Sequence, residues 1–275
     1  MKPGSFDYVR AGCLAEALEI LRAEGSSARV LAGGQSLLPM LSMRLARPAV
    51  VVDISRTQDL TAIGTQNGQL VVSASVSQAR LLTEPGLDQS HPLLAAAMPW
   101  IGHAQTRARG TVCGSIAHAD PSAELALCLI ALHGTVRVAS ARGRRIVPGG
   151  EFITGMMTTD LRDDELIEAV SFPAAKPGTG YAFNEFGRRR GDFAIVSVAA
   201  VATASTIEVT IGGVDDTPAH RSWSRLDGAA LDDALNALAW EINARDDIHA
   251  SARLRRDLVR ALGRRVIEEA IECIV

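Results

Sequence analysis

Apolar residues Leu14, Ala17, Leu18 and Leu21 recur at helical spacing and stop at Gly25, so the pattern predicts a first helix with one face turned to a sheet. Arg29 to Ala32 then reads as a short buried strand, Gly33 to Ser36 as a tight turn, Leu37 to Leu45 as a helical or irregular stretch, and Val50 to Asp53 as another strand. Strand, helix, strand in that order predicts a small βαβ-like layer. From Gln69 to Pro173 short strand patterns (Leu70 to Ala74, Thr135 to Ala139, Leu166 to Phe172) alternate with helical ones (Gln78 to Leu82, Leu93 to Met98, Ser122 to His133). The helix after His118 has a legible start: Asp120 as cap, Pro121 at the first helical position, Glu124 in the first turn, and Gly134 as its stop. The turn-rich run Ala174 to Gly180 marks a boundary. Beyond it, strand patterns (Phe193 to Ala202, Ile207 to Ile211) precede two amphipathic helices, Leu231 to Ile242 and Ala252 to Ile271. The class is α+β.

Composition narrows the functions. The 275 residues are 47% hydrophobic and 21% charged with a net charge of −3, enough apolar material for two packed units and no global positive field for nucleic acid. Cys13, Cys113, Cys128 and Cys273 stand at none of the short spacings that hold zinc or iron–sulfur clusters, and they read as reduced thiols of a cytoplasmic protein. The longest apolar run, Leu125 to Leu132, is too short to span a bilayer, and the opening MKPGSFDY lacks an apolar signal core.

Three segments carry candidate chemistry. In Ala32-Gly33-Gly34-Gln35-Ser36 the glycines let backbone N–H groups converge on an anion such as a diphosphate, and the arginines between Arg29 and Val52 face no acidic residue. Spacing alone favours a plain Gly-Gly turn, and neither a GxGxxG fingerprint nor a phosphate loop is present. Arg109 to Glu124 offers a second backbone-rich surface, with Arg107 and Arg109 again unopposed and Glu124 able to accept hydrogen bonds from ligand hydroxyls. Glu124 reads equally as a helix-dipole partner. Cys113, His118, Asp120 and Glu124 also admit a metal or acid–base reading, against which stands the lack of a second close ligand pair. His103 and His118 read more simply as hydrogen-bonding loop residues. In Gly187-Arg188-Arg189-Arg190-Gly191-Asp192-Phe193-Ala194 the aromatic residue is placed to stack on a planar ligand, or the run is a solvated charged turn or a dock for an acidic partner.

Together and in this order, AGGQS, RGTVCGSIAHADPSAE and GRRRGDFA resemble the FAD-binding medium subunit of the molybdenum hydroxylases, the group of carbon monoxide dehydrogenase and xanthine dehydrogenase. The resemblance extends over the whole chain, including the opening PGSFDY and the VVDIS after the first glycine turn. It implies a vanillyl-alcohol-oxidase-type (PCMH) FAD-binding domain over 1–175, with subdomains of about 1–55 and 56–175. A small α+β domain over 180–275, a three-stranded sheet with helices, would follow it. By the same resemblance Leu31, Ala32, Gly33, Gly34, Gln35, Ser36 and Leu37 hold the diphosphate, and Thr111, Cys113, Gly114, Ser115 and His118 form the second loop. Glu124 reaches the ribityl chain, Ile101 and Phe193 flank the isoalloxazine, and the backbone around Leu166 and Ile167 completes its pocket. The chain departs from the common family pattern at Cys113, where Gly is usual, at Ser115, where Asn is frequent, and at Phe193, where Tyr is found. Nothing marks Cys113 as an activated thiolate, so the FAD is expected to be non-covalent.

The implied role is electron transfer from 2Fe-2S clusters of a small subunit to an external acceptor, while a large molybdopterin-binding subunit oxidises the substrate. No catalytic or metal-binding residue is assigned to this chain, and its assembly is expected to be a dimer of heterotrimers. A non-redox nucleotide-binding scaffold and a stand-alone flavin oxidoreductase are the rival readings.

Overall fold

The computed structural model of the chain describes residues 2–274. Asp7–Arg10 (β1), Leu14–Glu24 (α1), Ala28–Leu31 (β2), Leu37–Ser42 (α2) and Val50–Asp53 (β3) build the first layer. Its sheet is parallel in the order β1-β3-β2, with Val50 opposite both Asp7 and Ala28. The central strand β3 is buried at every position, as a β-branched run shielded on both faces must be. Leu14, Ala17, Leu18 and Leu21 form the buried stripe of α1. The predicted βαβ-like layer is present, with one additional strand, β1, whose DYVR sequence is mostly exposed and carries little hydrophobic signal.

The second layer runs through Ile63–Gln66 (β4), Gln69–Ser73 (β5), Gln78–Leu82 (α3), Leu87–Ser90 (α4), Pro92–Ala97 (α5), Ala104–Arg109 (α6), Val112–His118 (α7) and Glu124–Ala131 (α8). It continues through Thr135–Ser140 (β6), Gly143–Pro148 (β7), Gly149–Phe152 (α9), Ile153–Gly155 (β8), Thr158–Thr159 (β9) and Leu166–Pro173 (β10). The main sheet here is antiparallel, β4-β5-β10-β6-β7. The three central strands are the ones that the hydrophobic pattern predicts. The edges β4 (IGTQ) and β7 (GRRIVP) are missed because their side chains are largely polar and exposed, the composition that guards a sheet edge. Helix α8 is buried at all eight positions and lies in the middle of the first core.

The last part holds Thr179–Phe186 (β11), Val196–Thr203 (β12), Thr206–Gly212 (β13), Ala219–Ser224 (β14), Gly228–Glu241 (α10) and Ala252–Glu272 (α11). The expected three-stranded sheet is in fact a four-stranded antiparallel meander, β11-β12-β13-β14. Its fourth strand, AHRSWS, is half-exposed and polar and therefore invisible to a hydrophobic count. One face of the meander packs on α10 and α11 in a second core; the other, with Phe183 and Ala199, belongs to the first core. Both terminal helices occupy the predicted stretches to within three residues at each end. No helix among the described residues is long and apolar enough to cross a membrane.

Candidate functional site

The first glycine turn leaves β2 at Leu31 and enters α2 at Leu37. Gly34 has φ +73°, a conformation that favours glycine, and its carbonyl accepts from the Leu38 N–H at 3.1 Å. Among the described residues the N–H groups of Gly33, Gly34, Gln35 and Ser36 donate to no protein acceptor. Four consecutive unpaired donors beside a left-handed glycine are the backbone groups from which anion-binding turns are built.

The second segment is helical where a loop was expected. Thr111 caps α7, its hydroxyl accepting from the Gly114 N–H at 3.0 Å, so Cys113, Gly114 and Ser115 lie in the first turn and His118 is the last helical residue. Cys113 has helical backbone, which explains why a residue other than glycine fits. Its thiol is buried, donates toward the Val72 carbonyl at 3.4 Å, and is pushed up to about 12 by burial. A neutral, inward-facing thiol offers neither a metal ligand nor a flavin linkage. The following helix begins at Glu124, not at Pro121 behind an Asp120 cap, because the Asp120 carboxylate accepts from the Ser122 N–H at 2.9 Å and caps a turn, not the helix.

The two segments meet. A methyl group on Gly33 would collide with the Arg109 carbonyl oxygen and lie 2.8 Å from the Gly110 Cα, so the backbones touch at a point where only glycine fits. The third segment, from the other unit, comes to the residues that precede α6. Gly191 (φ +88°) sits against His103, where a Cβ would lie 2.7 Å from the ring, and the Arg190 guanidinium lies 5.4 Å from the Trp100 ring centroid. Phe193 precedes β12 and is 65% exposed, free to cover a planar group. Ile101 is buried, and its carbonyl accepts from Arg107 at 2.7 Å. Leu166 and Ile167 open β10 with side chains in the core, so only their backbone is available to a ligand.

Glu124 is 6% exposed, and its own backbone N–H helps hold the carboxylate form. Burial pushes its carboxyl up to about 7, with the Asp120 charge adding to the shift and Arg107 opposing it. Sequence reasoning missed its neighbour Glu185, raised to about 8 by burial and by the Glu124 charge, with Oε2 lacking a partner. The signal was there: Tyr181, Phe183 and Glu185 alternate on one face of β11, and the third inward position carries an acid. Gln78, whose Oε1 also lacks a partner, stands beside Gly110. An open depression between β1 and α1 lies away from these loops, and its rim of Asp7, Glu16, Glu19 and Glu24 would repel a diphosphate.

Residues 4–175 match the family described as the FAD binding domain in molybdopterin dehydrogenase, and residues 181–270 the CO dehydrogenase flavoprotein C-terminal domain. The chain belongs to this family of FAD-binding medium subunits. It is 35% identical over 284 residues to the 6-hydroxypseudooxynicotine dehydrogenase complex subunit alpha of Paenarthrobacter nicotinovorans, covering 98% of this chain and 96% of the relative. The nicotine 6-hydroxylase medium subunit of the same organism is 36% identical over 282 residues, with 98% and 99% covered. Among solved structures, reconstituted CO dehydrogenase from Oligotropha carboxidovorans superposes with a TM-score of 0.94 at 29% identity, covering 99% of this chain and 100% of that one.

Proposed function

We propose that the chain is the FAD-carrying electron-transfer subunit of a multi-subunit molybdenum hydroxylase. It would receive electrons from 2Fe-2S clusters of a small partner and pass them to an external acceptor. Substrate oxidation then belongs to a large molybdopterin-binding subunit, in a cytoplasmic dimer of heterotrimers. In this reading residues 1–175 are the FAD-binding unit, divided near residue 55, and 180–275 the C-terminal unit. The observation that carries it is the closure of Gly33 on Arg109 and Gly110, which sets four unpaired amides beside the start of α7.

FAD, when bound, supplies one- and two-electron redox chemistry at its ring. The chain's own residues bind and orient it. The amides of Gly33 to Ser36 neutralise the diphosphate, flanked by Leu31, Ala32 and Leu37, while Thr111, Cys113, Gly114, Ser115 and His118 provide the facing wall. Glu124, pushed up to about 7, exists in both protonation states near neutral pH and can donate to or accept from a polyol, which suits the ribityl hydroxyls. Ile101 from the core side and Phe193 from the solvent side would sandwich the ring, against the backbone of Leu166 and Ile167.

The test is the purified full chain. It should show flavin absorption bands bleached by dithionite, and Gly33→Val should lower FAD affinity at least tenfold while Gly150→Ala, where a Cβ meets open space, leaves it unchanged. A well-folded chain that takes up no FAD would defeat the reading. With its partner subunits the holo-chain should support dye-linked turnover; a scaffold gives none, and steady turnover of an organic substrate by this chain alone would favour a stand-alone oxidoreductase.

A further inference from the structure

We propose that His133, Glu208 and His220 form a binding site for a zinc-class divalent cation that ties the C-terminal sheet to the end of α8. Glu208 and His220 lie on paired strands, and His133 is remote from both in sequence and joins them only through the fold. His133 lies in the turn after α8, Glu208 on β13 and His220 on β14. Thr210 is opposite His220 in the β13–β14 pairing and Glu208 opposite Ser222, so Glu208 and His220 are diagonal neighbours on one face of the sheet. His133 reaches that face from the other layer.

The donor atoms all lie within 4.8 Å of one another. His133 Nε2 is 2.7 Å and His220 Nε2 3.9 Å from the same Glu208 Oε2. Ligand atoms around a tetrahedral zinc stand about 3.3 Å apart, between those two separations, so rotation of the exposed His133 side chain and a small shift of Glu208 would accommodate the ion. The imidazole rings meet edge to face, with centroids 5.3 Å apart. The other ring nitrogen of His220, Nδ1, is 2.9 Å from the buried Thr210 hydroxyl. That partner orients the ring and leaves Nε2 for a metal, the usual outer support of a ligating histidine. Two imidazoles and one carboxylate select zinc, nickel or copper over magnesium or calcium, which prefer all-oxygen sites. His133 is exposed, so water can complete the coordination sphere.

The test uses the full chain after chelator treatment, titrated with Co2+ followed by visible absorption and with Zn2+ followed by calorimetry. One equivalent should bind at micromolar free cation, and hundredfold excess should raise Tm by about 5 °C. His133→Asn and Glu208→Gln should each weaken binding tenfold or more, while His249→Asn should not. Both altered side chains lie at or near the surface, far-UV circular dichroism checks their folding, and either variant alone decides the matter. Absence of stoichiometric binding by the native chain, or an equivalent that persists unchanged in a folded variant, would overturn the proposal. FAD content is read separately, so loss of this site and loss of the flavin reading are distinguishable.

Discussion

Glu124 and Glu185 show what a single carboxyl costs when it is taken out of water. Each is held well above its ordinary value of 4.5, at about 7 and about 8, primarily by burial. Because the folded chain binds protons here that the unfolded chain releases, stability falls as pH rises from about 4.5 through about 8. The flavin-free chain should therefore lose thermal stability across this window, and Glu185→Gln, which removes one of the two titrations, should flatten the decline. Equal slopes of Tm against pH in the two proteins would refute this. Gly33 was visible as a possible anion turn, but its necessity comes from the Arg109 backbone lying against it, a contact 76 residues away along the chain.

At the scale of elements, helices announced themselves wherever one face is apolar and the other wet. Helices α1, α10 and α11 are of this kind and lie where the periodicity put them. Helix α7 was hidden because its VCGSIAH sequence is short and rich in small residues; its stability derives from the Thr111 cap and from packing on the main sheet, not from propensity. Helix α11 has its own cap, the Ser251 hydroxyl accepting from the Leu254 N–H at 3.2 Å. Ser251→Ala should cost about 1 kcal/mol in urea unfolding without altering flavin content. A loss of FAD in that variant would show that α11 couples to the site. The edge strands β4, β7 and β14 escaped notice because a strand paired on one side and solvated has no alternating apolar pattern to read, whereas β11, also an edge, has a legible alternation and was missed beside the turn-rich boundary.

At the scale of the molecule, one buried arginine organises the C-terminal part. Arg255 on α11 donates to the carbonyls of Ile195 at 2.7 Å and Gly213 at 2.6 Å and pairs with Asp247 at 2.5 Å, joining helix, sheet and connecting loop. Removing the guanidinium leaves those acceptors unsatisfied, so Arg255→Met should lower unfolding stability by about 3 kcal/mol. A cost below about 0.5 kcal/mol would mean that water replaces the guanidinium freely. Gly213, whose N–H donates to the Pro121 carbonyl at 2.8 Å, carries the same network to the turn before α8, where Glu124 begins. Arg255 is thus joined through Gly213 to the turn that precedes α8.

By itself the sequence determined the α+β class, the central strands, the amphipathic helices, the glycine turns and, through their order, the family. These are local properties: period, cap and turn chemistry are written within a few residues of where they act. The tertiary structure decided which of those turns touch, that a fourth strand closes the last sheet, that Glu185 stands beside Glu124, and that His133 meets Glu208 and His220 from a distant segment. Such facts depend on contacts across tens of residues, whose energies come from burial and desolvation, and no short window of sequence contains them.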